Sequence, residues 1–397
     1  MLIAYKYRVN PNKQQQKLIE QTFSACRLVY NLGLEIKKYA WQTQHKNISS
    51  FDLCYQLIAL KKEYGWLNEV DSQALQASIK KLDSAFINFY KGAGYPKFKN
   101  KHGNQRFQCP NNTRKIDFVH STLTIPKIKN IPIKISREFE GRIKTVTISK
   151  TSTGKYFASI LVDNRIELSK PQLINFDKAI GIDTGIKSFV ISSDGRTFEP
   201  NRKLKQSLER LKVLSKRASR KKKGSNNRRK ASKRLSALHE KITNQRLDCI
   251  HKVTHQLTSD NQAVSAIFVE DLNVAGLLKN HKIAQAISDV SLGKFYEILG
   301  NKCKWNGINL IKINRFSPSS KRCSCCGHIN QELTLSMREW ICEICNTNHD
   351  RDFNASQNIL WYGKETILNN KSPMGSREVP VEMSAIAESM KQENTYV

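Results

Sequence analysis

At 397 residues, 39% of them hydrophobic, the chain has material for two or three domains with their own cores. Its 66 Lys and Arg stand against 34 Asp and Glu, a formal charge of +32. That excess is far beyond what solubility needs, and it points to a polyanion as partner. A membrane surface is the competing partner, but no segment approaches the roughly 18 consecutive apolar residues of a spanning helix. The amino terminus, MLIAYKYRVNPNK, has no apolar run of signal-peptide type, so a cytosolic protein is expected.

Residues 2 to 9 alternate, with Ile3, Tyr5, Tyr7 and Val9 on one face, and Pro11 ends the run; this predicts a strand. From Lys13 to about Trp41 the apolar residues recur at helical spacing, and two further helical patterns follow, Leu53 to Lys62 and Ser72 to Tyr90. Together they predict a helical module over 11–92, closed by the turn Gly92-Ala93-Gly94-Tyr95-Pro96. Beyond it the texture changes. Lys97, Lys99 and Arg106 interleave with Phe98 and Phe107, and from Ser121 to Val162 short alternating strands appear, with a hairpin about Thr153-Gly154. Basic residues beside aromatics can neutralise phosphate and stack on bases. The alternative is a β-barrel with a solvated lysine face, and the global charge favours binding.

Ala179 to Gly195, AIGIDTGIKSFVISSDG, reads as an apolar strand ending in Asp183, a turn at Gly185 and a second strand over Phe189 to Ser192. A carboxylate at the end of a buried strand is costly unless a cation or hydrogen-bond donors meet it. A turn with Asp183 as its cap is the plainer alternative. Between Asn201 and Arg246 stand 18 Lys and Arg against Glu209 and Glu240. Leu204, Leu208, Leu211 and Leu214 give one helix a narrow apolar stripe; Leu235, Leu238, Ile242, Ile250, Val253 and Leu257 give another. Two long helices over 201–257 are therefore expected, with a basic tip from Arg217 to Lys230. Arg217, Arg220, Lys221, Lys222, Arg228 and Arg229 at that tip are candidate contacts to a nucleic-acid backbone, as are Lys97, Lys99 and Arg106.

Ala263 to Asp271 predicts another buried strand, again ending in carboxylates, Glu270 and Asp271. A loop is expected over Asn273 to Gln285, a helix over Ser288 to Trp305, and a strand over Gly307 to Arg315. Then comes Cys-x2-Cys (Cys323, Cys326), fifteen residues, and a second Cys-x2-Cys (Cys342, Cys345). Paired thiols at this spacing suit one tetrahedral zinc ion better than disulfides, and the five scattered cysteines, Cys26, Cys54, Cys109, Cys249 and Cys303, read as ordinary thiols. Cys325, inside the first pair, is a further possible ligand. His349-Asp350-Arg351-Asp352 follows, and Asp352 opens a short helix whose Ala355 and Ile359 can pack inward. The polar, Pro-containing tail over 371–397 is expected to be mobile.

Asp183, Glu270 and Asp352 thus stand at the ends of two hydrophobic strands and the start of a terminal helix. That arrangement resembles the ribonuclease-H-like fold, in which such positions meet at one sheet edge. Clustered carboxylates repel one another unless they share divalent metal. Asp350 is the rival for the third position.

GIDTGIKSF (181–189), VEDLN (269–273), SSKRCSCCG (319–327), CEIC (342–345) and HDRDFNASQNI (349–359) resemble the TnpB family of transposon-encoded RNA-guided nucleases, related to type V CRISPR effectors. The resemblance runs from Met1 to about Gly363. It implies an α/β chain with added β-barrel and helical modules: a wedge-like barrel from 1–10 and 93–172, a recognition module over 11–92, a RuvC-like core over 173–316 with the basic hairpin inside it, a zinc-ribbon insertion over 317–348, and a last RuvC helix over 349–370. It implies Asp183, Glu270 and Asp352 as nuclease acids holding two Mg2+ ions, and Cys323, Cys326, Cys342 and Cys345 as ligands of one structural Zn2+. Its implied partners are a guide RNA from the transposon end and a double-stranded target DNA cut beside a short adjacent motif, with one chain per RNA, no membrane, and a prokaryotic cytosol or nucleoid as the setting. Two rival functions are a strand-joining transposase and a non-catalytic zinc-ribbon nucleic-acid-binding protein. The latter leaves the three acids without a reason.

Overall fold

The computed structural model describes residues 1–110, 115–201, 203–259, 264–281, 284–334 and 336–369, leaving aside the side chains at 203–206 and 285. The expected mobile tail, Ala263 at the head of a predicted strand, and the side chain of Leu204 lie outside the described residues. The chain divides into two compact units, Met1–Glu167 and a second beginning at Leu168.

The first unit opens with strand β1 (Leu2–Val9) and helix α1 (Lys13–Gln44). Asn12 caps α1 by accepting from the Gln15 N–H at 2.8 Å while the Gln15 side chain accepts from the Asn12 N–H, a reciprocal box that fixes the start. Ser49 and Asp52 repeat the device at α2 (Ser50–Glu63), and Asp71 caps α3 (Ser72–Tyr90) after a short 3-10 turn over Gly65–Glu69. The strands β2 (Gln105–Cys109), β3 (Lys115–Asp117), β4 (Thr122–Ile125), β5 (Ile128–Lys134), β6 (Arg142–Lys150) and β7 (Tyr156–Asp163) complete the unit. With β1 they form one sheet in the order β2-β6-β7-β1-β5-β4-β3, every pairing antiparallel. Among the described residues no ladder joins β2 to β3, so the pairing is that of an open sheet. Alternating residues of β7 (Tyr156, Ala158, Ile160, Val162) are buried with Phe23, Leu34 and Leu82 of the helices in one core. At about 1.5–3 kcal/mol for each large apolar side chain removed from water, this core is the unit's main stabilising term.

The second unit is built on a five-stranded sheet, β8 (Ala179–Asp183), β9 (Val190–Ser192), β10 (Thr197–Phe198), β11 (Ala266–Glu270) and β12 (Asn309–Ile313), in the order β10-β9-β8-β11-β12. β8, β11 and β12 run parallel; β9 and β10 are antiparallel. β8 and β11 are each buried at their first four positions and less so at the fifth, Asp183 and Glu270. Continuous apolar runs of this kind suit central parallel strands covered on both faces. Between β10 and β11 lie α4 (Lys203–Ser219) and α5 (Asn226–Ser259). The apolar stripe of α5 divides its work: Leu238 and Ile242 pack on Leu208, Leu211 and Leu214 of α4, whereas Ile250, Val253 and Leu257 enter the core beside the sheet.

After β11 the expected loop contains one helical turn, α6 (Val274–Leu277), and runs into α7 (Ala284–Val290); the expected single helix is broken between α7 and α8 (Leu292–Asn306). Ser291, with φ of 57°, makes the break, a left-handed residue that a continuous apolar periodicity did not reveal. Residues expected to close the first module belong to this unit instead: the Ser169 hydroxyl donates to the Trp305 carbonyl and the Gln172 N–H to the Gly307 carbonyl. A ribbon with strands β13 (Glu339–Ile341) and β14 (Asn348–Asp350) precedes α9 (Arg351–Asn369). α9 lies directly on the sheet because two glycines leave it room. A Cβ at Gly181 would come within 2.2 Å of the Ser356 carbonyl oxygen, and one at Gly363 within 2.1 Å of the Phe268 ring. No helix among the described residues is long and apolar enough to cross a membrane.

Candidate functional site

In a parallel sheet the strands' carboxyl ends form the edge where chemistry gathers. Asp183 and Glu270 end neighbouring parallel strands there, and α9 brings Asp352 in its first turn to the same place. The convergence registers in the acid strength of Asp183. Burial, then the charges of Glu270 and Asp352, push its carboxyl up to about 7. Glu270 accepts a hydrogen bond from the Ser319 hydroxyl, and Asp352 is approached by Arg351 at 3.1 Å and Arg338 at 3.3 Å. The Thr184 hydroxyl pairs with the Tyr296 phenol at 2.9 Å, and that buried phenol is itself raised, first by burial, then by Glu270, Asp183 and Asp271.

Two neighbouring acids have other partners. Asp271 is paired with Lys312 and Arg315, and those cations hold its carboxyl below the usual range. Asp350 accepts from the Phe353 N–H at 2.8 Å, the bond by which a capping residue closes the first turn of α9. Asp350 therefore starts the helix, whereas the charge of Asp352 acts on Asp183.

The four predicted cysteines come together: one sulfur from each of Cys323, Cys326, Cys342 and Cys345 lies within 4.8 Å of the other three. Neighbouring sulfurs are 3.5 and 3.6 Å apart, close to the roughly 3.8 Å that tetrahedral zinc–thiolate bonds of about 2.3 Å demand. The donor set thus fits a zinc ribbon. Each knuckle repeats one backbone pattern: Gly327 N–H donates to the Cys323 carbonyl and Asn346 N–H to that of Cys342, both from a left-handed residue after the second cysteine. Cys325 is exposed and outside the group. The hydroxyl and backbone of Thr347 hold the Cys345 thiol down to about 6. His349, for which spacing predicts no role, is buried with Nε2 3.0 Å from the Cys323 sulfur. The five other cysteines are unbridged.

The predicted basic contacts separate into two kinds. Lys97, Arg106, Arg217, Arg220, Lys221, Lys222 and Arg229 are exposed. Arg228 instead donates from Nη1 to the carbonyls of Ala218, Ser219 and Lys221, closing the end of α4. Lys99 is exposed too, but its ammonium lies 3.5 Å from the centre of the Tyr30 ring, and burial lowers it to about 8.

Three family models match the chain: one described as a probable transposase over residues 160–281, a Cas12f1-like TNB domain over 293–359, and a helix-turn-helix domain over 1–46. Residues 1–46 fold as the strand β1 and the single helix α1. A protein of Streptomyces pristinaespiralis named as an RNA-guided DNA endonuclease is 37% identical over 91% of this chain and 89% of its own length. InsQ of Escherichia coli K12, with the same designation, is 30% identical over 96% of this chain and 98% of its own. Among solved structures, a Cas12f1 chain from a complex with sgRNA and target DNA matches with a TM-score of 0.59 at 15% identity, covering 91% of this chain and 98% of that one, a likeness of fold.

Proposed function

The chain belongs to the TnpB family, and on that premise we propose that it is a transposon-encoded RNA-guided DNA endonuclease whose acids are Asp183, Glu270 and Asp352. One observation carries the reading: three carboxylates from two parallel strand ends and a helix start converge, and burial together with the charges of Glu270 and Asp352 raises Asp183 to about 7. Clustered, buried negative charge of that kind is what a divalent cation relieves.

In this reading Asp183, Glu270 and Asp352 hold two Mg2+ ions, which when bound supply an activated water and steady the departing 3′ oxygen. The protein's part is placement. The sheet fixes Asp183 and Glu270 relative to each other through backbone pairing, the close seat of α9 over Gly181 fixes Asp352, and Ser319 orients Glu270. Cys323, Cys326, Cys342 and Cys345 hold one zinc ion that keeps the ribbon folded. Pairing by a guide RNA transcribed from the transposon end supplies target sequence, while the protein checks a short motif beside it in the double-stranded target. Lys97, Arg106, Arg217, Arg220, Lys221, Lys222 and Arg229 contact phosphates; Lys99 and Arg228 brace the surfaces that carry them. The seven-stranded sheet of the first unit serves as the wedge, curling toward a barrel, with bulges in β4 and β6 in support. One chain acts per RNA, in the prokaryotic cytosol.

The deciding experiment purifies the protein with RNA from its own locus and offers it a plasmid library carrying the matched target beside randomised bases, with Mg2+ or EDTA. Mg2+-dependent cuts that require the guide and a fixed adjacent motif, and that vanish in Asp183→Ala, are expected. RNA co-purifying without any DNA cleavage would leave a binding protein and remove the role given to the acids; strand joining in place of cleavage would favour a transposase.

A further inference from the structure

The ribbon and the acid site are joined by a buried polar contact that neither zinc binding nor hydrolysis by itself requires. Asn354 and Asn358 lie one helical turn apart on α9 and are 1% and 0% exposed. Both point at the root of the first knuckle. The Asn354 amide donates to the Arg322 carbonyl at 2.7 Å and its oxygen accepts from the Ser324 N–H at 2.9 Å. The Asn358 amide donates to the carbonyls of Ser319 and Arg322 at 2.8 and 2.6 Å, and its oxygen accepts from the Arg322 guanidinium at 2.9 Å. That guanidinium lies 3.7 Å from the centre of the Trp361 ring on the same helix. Ser319, 4% exposed, gives its carbonyl to Asn358 and its hydroxyl to Glu270.

A buried amide must satisfy its donors and acceptor, and one that does so on both sides of a junction fixes that junction's geometry. Here the same helix carries Asp352 two residues before Asn354, and the same knuckle root carries the hydroxyl on Glu270. We propose that Asn354, Asn358 and Ser319 are positioning residues that make the ribbon's first knuckle part of the acid site, setting Glu270 through the Ser319 hydroxyl and Asp352 through the seat of α9. The inference rests on the reading of the three acids as a cation site. Groups that orient the ligands of a metal commonly change its affinity 10- to 100-fold when removed.

The test reads cation binding. The full chain with its guide RNA is titrated with Mn2+, a hard ion that prefers carboxylates to the ribbon's thiolates, and free Mn2+ is followed by electron paramagnetic resonance. Zinc content and thermal midpoint are measured on the same samples, and Asp183→Ala identifies the signal of the acid cluster. Ser319→Ala is expected to weaken that binding about tenfold while keeping one zinc and the wild-type midpoint, with Ser319→Thr restoring it. Asn358→Ala is expected to weaken it further with zinc retained. Mn2+ affinity within twofold of wild type in Ser319→Ala would overturn the proposal, and this arm decides the matter if Asn358→Ala fails to fold. A wild-type complex that binds no Mn2+ above the Asp183→Ala background would instead remove the cation site on which the inference rests.

Discussion

Two regions of this protein gather like charge, and they hold it in opposite ways. The α4–α5 hairpin spreads 18 cations with two Glu over 201–246, and at its tip Arg217, Arg220, Lys221, Lys222 and Arg229 are exposed while Arg228 is tied to backbone carbonyls. The acid edge concentrates three carboxylates where burial and mutual repulsion raise one of them to about 7. Dispersed charge in water costs little per group and is relieved by any polyanion, so the hairpin can bind backbone without choosing sequence. Concentrated charge costs much per group and is relieved only by cations that fit between the oxygens. On the proposed function, one region serves affinity and the other chemistry.

That contrast can be broken where it predicts separable effects. The largest expected is at the acid edge: Glu270→Gln or Asp352→Asn should lower cleavage by about a thousandfold or more while guide-RNA affinity stays within twofold, read by single-turnover cleavage and filter binding. Next is Cys342→Ser, which should lose the ribbon's zinc by elemental analysis and lower the thermal midpoint, since metal binding to such a knuckle is part of its folding free energy. Neutralising the tip in Lys221→Gln, Lys222→Gln and Arg229→Gln together should weaken RNA binding about tenfold and flatten its salt slope by roughly 2 to 3, with the cleavage rate of saturated complex unchanged. An unaltered slope would remove the hairpin from the interface.

The smallest effect concerns stability. Asp183 has a folded-state pKa above its unfolded value, so ionising it opposes folding. The penalty is absent below the ordinary carboxylate range, grows as pH rises from about 4 to about 7, and is constant above. Asp183→Asn should therefore raise the midpoint of metal-free protein by a few degrees at pH 8 and by nothing near pH 4, with added Mg2+ shrinking the gain. A gain independent of pH would mean that packing, not charge, sets it.

How much of this could be read beforehand depended on whether a residue's role was local. Apolar runs closed by Asp183 and Glu270 announced strand ends because burial and polarity change within one residue, and the cysteine spacing announced a knuckle for the same reason. The choice between Asp350 and Asp352 needed the start of α9 to within one residue, a boundary that periodicity alone does not fix. Arg228 and Lys99 looked like phosphate contacts because a cation's partner, a carbonyl cluster or a ring, comes from elsewhere in the chain. The partners of Ser319 and Asn358 were not legible: a polar residue in a turn or on a helix reads as solvent-facing until the fold covers it. The open pairing of the first sheet was illegible too, since alternation gives strand faces and not which edges meet.

The seat of α9 on β8 has a consequence for how members of such a family are recognised. Gly181 has no room for even one carbon beyond its backbone, and the atoms in the way are the main chain of the helix that delivers Asp352. A chain with alanine there would keep every acid and every cysteine in sequence, yet its third carboxylate would be lifted away from the other two. Any inventory of active and inactive copies that counts only acids would score it as intact, so the glycine two residues before the first acid should be counted with them.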